Sequence, residues 1–310
     1  MASRPIQEVL RAQALIGESP TWDADSGRLL WVDVLRGELH SSDVGSGSDR
    51  VFSVGTALGA VALRRTGGVV VAAGDGFAFV GDSALEAASG ELRGADLTWV
   101  WRLGNSEVGS LGPTGLSVRM NDAKCDRLGR LWGGSMTVER IPGACSLYRL
   151  DADHTVTCMV ENVTLSNGIA WSPDYDKMFY VDTPTRRIDV FEFDEHEGRL
   201  RDRRPFTHIA EGCGNPDGIT VDEDGCVWVA LARGGAVHRY KPNGEIALAI
   251  DVPAGLVTSV TFGGPQLDLL FVTTGCVGMS ELELFEKPLS GSVLVYEVGT
   301  RGMAPERFGS

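Results

Sequence analysis

Short apolar runs recur along the chain between clusters of Gly, Asp, Asn and Pro. PTWDADSGRLLWVDVLRGELHSSD (20–43) and VALRRTGGVVVAAGDGFAFVGD (61–82) share one phrase: an apolar stretch, a turn, a second apolar strand, a turn, a third strand. The phrase returns as AKCDRLGRLWGGSM with CSLYRLDADHTV (123–156) and as IAWSPDYDKMFYVDTPTRRIDVFEFD (169–194). It closes as ITVDEDGCVWVALARGGAVHRYKPNGEI (219–246) and VTFGGPQLDLLFVTTG with GSVLVYEVG (260–299). Strands rich in Val, Trp, Phe, Tyr and Leu, bounded by turn residues, are hairpin chemistry. Helical spacing at i, i+3 and i+4 is arguable only from Ile6 to Ala14.

The residue ending the first turn of each copy marks its phase: Gly27, Gly67, Gly129, Asp176, Gly225 and Asp268. The intervals are 40, 62, 47, 49 and 43 residues, each the size of a four-stranded propeller blade apart from one long excursion. The expected fold is all-β, a six-bladed β-propeller forming a single domain over residues 1–310. Two stacked sandwiches fit less well, because their repeats would not share a phase. Pairing of the N-terminal segment, about Val9 to Leu15, into the last blade would close the ring and remove exposed edges.

The same phase singles out four polar side chains. Glu18 and Asn167 precede their markers by nine residues, and Asn121 and Asp217 by eight. Each alone has an ordinary explanation: Asn167-Gly168 is a hairpin dipeptide, Pro216-Asp217-Gly218 a β-turn, Asn121-Asp122 an Asx turn, Glu18 a loop acid. Equal phase in different blades means equal height and radius, so together they should converge at one mouth of the channel. The matching places in the other two copies, Leu58/Gly59 and Ser259/Val260, carry no carboxylate.

Composition narrows what such a set could do. The 28 basic and 42 acidic residues give a net charge of −14, which repels phosphate backbones and anionic membranes. No nucleic-acid or membrane partner is expected. The acidic run Asp194 to Glu197 followed by Arg199 to Arg204 reads as a solvated hairpin tip. Six cysteines without a C-x-x-C pair, and no apolar signal core near the N-terminus, point to a cytoplasmic chain with reduced thiols. The charge leaves monomer and homodimer both open.

Two carboxylates with amide carbonyls are hard oxygen donors, which suits one divalent cation: Ca²⁺, Mg²⁺ or Mn²⁺ by softness, with Zn²⁺ still open. A bound cation polarises a carbonyl and lowers the pKa of water. Arg119, two residues before Asn121, shares its face in an extended segment and could grip hydroxyls or a developing oxyanion. The sequence lacks the G-x-S-x-G elbow, the phosphate-binding loop and G-x-G-x-x-G. Cys125, Cys158 and Cys226 read as small core residues, and Trp22, Trp31, Trp132, Trp171 and Trp228 as core packing.

The segments LIGESPTW (15–22), VRMNDAKCDRLGRLWGGSM (118–136), LSNGIAWSPD (165–174), NPDGITVDEDGCVWVA (215–230) and FGGPQLDLLFVTT (262–274) resemble the gluconolactonase/regucalcin (senescence marker protein) family. The resemblance runs through nearly the whole chain in order and spacing. It implies a six-bladed propeller that binds one divalent cation and opens sugar lactones. It further implies Glu18, Asn167 and Asp217 as metal ligands and Asp217 as proton acceptor. Arg119, Asn121 and, from a lid loop, Glu139 correspond to substrate-contacting residues. The stretch from Thr137 to Cys145 is shorter than in vertebrate relatives, and the excursion Leu97 to Gly115 is longer and expected near the channel mouth.

The leading expectation is a metal-dependent lactonase, a carboxylic ester hydrolase acting on a small hydroxylated lactone such as an aldonolactone. A non-catalytic calcium-binding regulatory protein would need the same ligands but not Arg119. A pure interaction platform would explain six blades and not the asymmetric oxygen ligands.

Overall fold

Six antiparallel sheets stand around one axis in the computed structural model, which describes residues 4–86, 90–92, 96–104 and 117–309, with side chains from residue 10 onward. Blade 1 comprises Gly17–Asp23, Arg28–Asp33, Glu38–Asp43 and Asp49–Ser53, with the short Gly90–Glu91 added in parallel at its outer edge. Blade 2 runs Leu58–Leu63, Val69–Ala73, Gly76–Val80 and Leu97–Arg102; blade 3 runs Val118–Cys125, Leu131–Thr137, Cys145–Leu150 and Val156–Val163. Blade 4 holds Ser166–Trp171, Lys177–Asp182, Arg187–Asp194 and Arg199–His208, and blade 5 Asn215–Val221, Val227–Ala232, Ala236–Tyr240 and Ile246–Asp251. Blade 6 combines Leu256–Gly263, Leu269–Gly275 and Val293–Glu297 with the N-terminal strand Arg4–Leu10. The first strand of each blade touches its counterpart in both neighbouring blades, so the innermost strands close a ring. The molecule is a six-bladed β-propeller.

Closure by an N-terminal strand agrees with the sequence reading, but the strand is Arg4–Leu10, not Val9 to Leu15. The window with arguable helical spacing is therefore extended through residue 10, because antiparallel pairing with Val293–Glu297 supplies the hydrogen bonds. The long excursion also changes character. Its first part, Leu97–Arg102, is the outermost strand of blade 2, and Trp101 stacks on Phe77 there. Residues 105–115 lie outside the described residues.

Local chemistry explains why the first hairpins repeat. In blade 3, Asp126 accepts from the backbone N–H of Leu128 and Arg130 and from Trp132 Nε1 at 2.9 Å. In blade 5, Asp222 does the same with Asp224, Cys226 and Trp228 Nε1 at 2.8 Å. Gly129 and Gly225 supply the left-handed turn residue between them. Each Asp thus ties a turn to the indole that fills the blade interior, and Trp31, Trp132 and Trp228 have no exposed surface. Only residues 195–198 of the charged run form the expected hairpin tip, and Glu195 there turns back to pair with Arg127 of blade 3. Arg199 to Arg204 belong to the outer strand Arg199–His208, where antiparallel pairing brings Arg201 to Asp194 and Arg204 to Glu192.

The tail from residue 301 to 309 crosses the far end of the channel and touches the first hairpin of every blade. It bonds Leu267 of blade 6, Glu223 of blade 5, Tyr175 of blade 4, Asp23 of blade 1, Leu63 of blade 2 and Gly129 of blade 3. Phe308 is buried there against Phe79. All six cysteines are free. Among the described residues no helix is long and apolar enough to cross a membrane.

Candidate active site

Every innermost strand carries a β-bulge near its start. Pairing runs from Glu18–Val32 to Thr21–Leu30, from Met120–Ser135 to Ala123–Gly133, from Ser166–Asp182 to Ile169–Tyr180, and from Pro216–Leu231 to Ile219–Val229. Each of these four inner strands spends three steps against two on its partner, leaving Asn121, Asn167 and Asp217 unpaired and Glu18 at the lip. A bulge breaks the strict alternation of side chains and re-aims one of them. The common phase in the sequence is therefore a common bulge. In blades 2 and 6 the bulge falls at Gly59 and Thr258, one residue before the Ser259/Val260 match in blade 6.

The backbones come close at these places. A Cβ on Gly168 would lie 2.5 Å from the Asp217 carbonyl oxygen, and one on Gly59 would lie 2.4 Å from that of Asn121. Two buried acids pin the approach to the bulges from outside. Asp33 accepts from Leu15 N–H at 2.8 Å, three residues before Glu18, and Asp182 accepts from Leu165 N–H at 3.0 Å, two before Asn167.

Glu18, Arg119, Asn121, Asn167 and Asp217 line one cavity of about 150 Å³ at the mouth where the inner strands begin. A chain of hydrogen bonds crosses it. Arg119 donates to Asn121 Oδ1 at 2.7 Å; Asn121 Nδ2 donates to Asn167 Oδ1 at 2.9 Å and to the Ser166 carbonyl at 2.7 Å. Asn167 Nδ2 donates to Thr183 Oγ1 at 2.8 Å, and Thr183 donates to the Pro216 carbonyl beside Asp217. Both amide hydrogens of Asn121 are thus spent, and Asn167 Oδ1 is held with a lone pair to spare.

Burial pushes the Glu18 carboxyl well above the usual carboxylate range, and the charges of Asp217 and Asp122 push it further. Burial, then the charge of Asp122, raises Asp217 likewise, while Arg140, Arg119 and a hydrogen bond with Glu18 oppose the shift. Two crowded carboxyls of this kind are held together by a proton or by a cation. Burial also draws the Arg119 guanidinium down to about 10, still charged at neutral pH. Among the described residues no three His, Cys, Asp or Glu side chains cluster as a metal site, so any cation here needs amide oxygens too.

Glu139 is exposed in the turn after Leu131–Thr137 and does not line the cavity; its neighbour Arg140 does. Sequence reasoning missed Arg140, Thr183, Arg233 and Thr258, all of which line it. Thr258 was accessible from phase alone, by allowing the bulge to slip one residue. The others lie on loops after second strands, whose lengths differ between blades.

Residues 16–276 match the family described as the SMP-30/Gluconolactonase/LRE-like region. The chain belongs to that family. Among SMP-30/gluconolactonase relatives, the 6-deoxy-6-sulfogluconolactonase of Pseudomonas putida is 33% identical over 302 residues, covering 97% of each chain. Regucalcin of Xenopus laevis is 32% identical over 315 residues, covering 99% of each. The crystal structure of a calcium-binding protein, regucalcin, from Agrobacterium tumefaciens superposes with a TM-score of 0.86 at 26% identity, over 99% of this chain and 97% of that one. The motifs quoted from the sequence thus sit in an SMP-30/gluconolactonase propeller, with Glu18, Asn121, Asn167 and Asp217 facing one cavity.

Proposed function

We propose that this protein is a divalent-metal-dependent lactonase that opens a small hydroxylated sugar lactone to its hydroxy acid. The observation that carries the reading is one cavity in which Glu18, Asn167 and Asp217, from blades 1, 4 and 5, meet Arg119 and Asn121 of blade 3. The donor set fits a hard cation, because its two carboxyls are raised by burial and by neighbouring acidic charge and its amide oxygen is pre-oriented. Glu18, Asn167 and Asp217 would hold that cation, which when bound supplies Lewis acidity toward the lactone carbonyl.

Asp217 takes the proton of the attacking water as a general base. The acyl–oxygen bond of the ring then breaks, and the ring oxygen leaves with that proton as a hydroxyl. Arg119 places a charge-assisted donor at the cavity wall for ring hydroxyls or the developing oxyanion. Asn121, its hydrogens committed, orients Asn167 and offers one acceptor lone pair to a substrate hydroxyl. The lactone specificity in the name of the Pseudomonas relative supports the substrate class.

The test is initial hydrolysis of glucono-, galactono- and xylono-lactones after chelation and add-back of single cations, with the uncatalysed rate subtracted. Expected is a rate that vanishes on chelation, returns with one ion, and falls at least 10²-fold in Asp217→Asn. No rate above background with any ion, from folded protein, would overturn the reading. The calcium binding for which the Agrobacterium regucalcin is named favours a second reading, cation binding without turnover. That reading uses the same three ligands and has no need of Arg119, so cation binding that is unchanged in Arg119→Gln, with no lactone turned over by the wild type, would favour it.

A further inference from the structure

The loop joining the second to the third strand of each blade opens at the cavity mouth, and each of the six contains a residue at positive φ. In blades 1, 2 and 6 every such residue is glycine: Gly37, Gly74, and Gly278 with Gly291. In blades 3, 4 and 5 an arginine takes this conformation: Arg140 at φ 56°, Arg186 at 54° and Arg233 at 60°. A long L side chain in the left-handed region is strained, and such strain persists where it serves a site. Arg186 is accounted for, since it donates to the Ala210 carbonyl at 2.9 Å.

Arg140 and Arg233 are exposed and line the cavity from blades 3 and 5. Their guanidinium groups make no hydrogen bond or ion pair among the described residues, although Asp217 lies within electrostatic reach of Arg140 and Glu283 within reach of Arg233. With Arg119 they make three guanidinium groups against the two carboxyls of Glu18 and Asp217. The lining is net positive before any cation is bound, in a chain whose net charge is −14. A neutral sugar lactone brings nothing to balance that excess. A lactone that carries its own anion does, because unpartnered guanidinium groups pair with carboxylate or phosphate through charge-assisted bonds.

We propose that the substrate is an acidic lactone, a sugar lactone with an anionic substituent remote from the ring carbonyl, and that Arg140 and Arg233 grip that substituent. The proposal rests on the lactonase reading and adds its substrate class. It makes both arginines specificity residues: they hold the end of the substrate that does not react.

The experiment compares kcat/KM for neutral glucono-lactone with that for glucaro-lactone, which adds a carboxylate, and 6-phosphoglucono-lactone, which adds a phosphate. Wild type is set against Arg140→Gly, Arg233→Gly and the double variant. Glycine suits the backbone conformation, so these variants stay folded, as a thermal melt will check. Expected is at least a tenfold preference for one or both acidic lactones, expressed in KM, reduced about tenfold by each substitution and weakened by added salt. The better of the two acidic lactones names the anion. An acidic-to-neutral ratio near one in wild type, or a ratio unmoved in the double variant, would overturn this inference and leave the lactonase standing. No turnover of any lactone would overturn both.

Discussion

Asn121 Nδ2 lies 2.9 Å from Asn167 Oδ1, a side-chain hydrogen bond that joins the bulge of blade 3 to the bulge of blade 4. It fixes which end of the Asn167 amide faces the cavity, and Thr183 confirms the choice by accepting from Asn167 Nδ2. Asn121 therefore acts on the candidate cation site without being one of its three ligands. Loss of a partner that orients a ligand costs about 10–100-fold in metal affinity. Asn121→Ala is expected to weaken cation binding by about that factor, read by calorimetric titration. Unchanged affinity would show that Asn167 needs no such support.

Asp122, next along the strand, is buried on the other side of the bulge beside the half-buried Lys124, whose ammonium donates to the Ile219 carbonyl at 2.7 Å. Burial raises the Asp122 carboxyl from an ordinary 3.8 to about 6, with Lys124 opposing. The folded state therefore holds this proton more tightly than the unfolded chain. The stabilisation is full below pH 3.8 and is lost as pH rises through about 6. Urea unfolding in the presence of chelator should show Asp122→Asn losing that part of the slope between roughly pH 4 and 6. Parallel wild-type and variant profiles would refute the assignment.

Gly168 sets the spacing of the Asn167 and Asp217 strands. A Cβ there meets the Asp217 carbonyl at 2.5 Å and the Ile219 side chain at 2.9 Å, and backbone cannot swing aside as a flexible side chain can. Gly168→Ala is expected to cost about 1–3 kcal/mol by overpacking. A displacement of the Asp217 backbone by about 1 Å would lower kcat/KM on the order of 10²-fold. Chemical denaturation and steady-state rates on the same preparation measure both effects.

Phe308 anchors the tail that closes the far end of the channel, 3% exposed and 5.4 Å from the ring of Phe79. Phe308→Ala should destabilise by about 3–5 kcal/mol, the usual range for emptying a buried aromatic site. The lactonase rate at low temperature should stay near wild type, because the tail lies at the mouth opposite Asp217. A fall in kcat with unchanged stability would mean that the tail couples to the site through the channel.

Phase made the four central residues legible. A β-bulge consumes a fixed number of residues, so Glu18, Asn121, Asn167 and Asp217 kept a nearly constant distance from the turns that follow. Thr258 slipped by one because the pairing after its bulge runs longer, from Ser259 to Gly263, than the Ile219 to Val221 of blade 5. Glu139 and Arg140 are adjacent in sequence, yet Arg140, at a left-handed turn, lines the cavity and Glu139 does not.

By itself, the sequence determined the number of blades, the hairpin turns and the donor types, since strand pattern, turn chemistry and side-chain hardness are local properties. Tertiary structure alone decided the rest. It set the extent of the closing strand, the tail across the far mouth, and the pair Arg140 and Arg233 brought together from blades 3 and 5. Those features depend on closing a ring, which joins residues far apart in the chain through loops whose lengths carry no common phase.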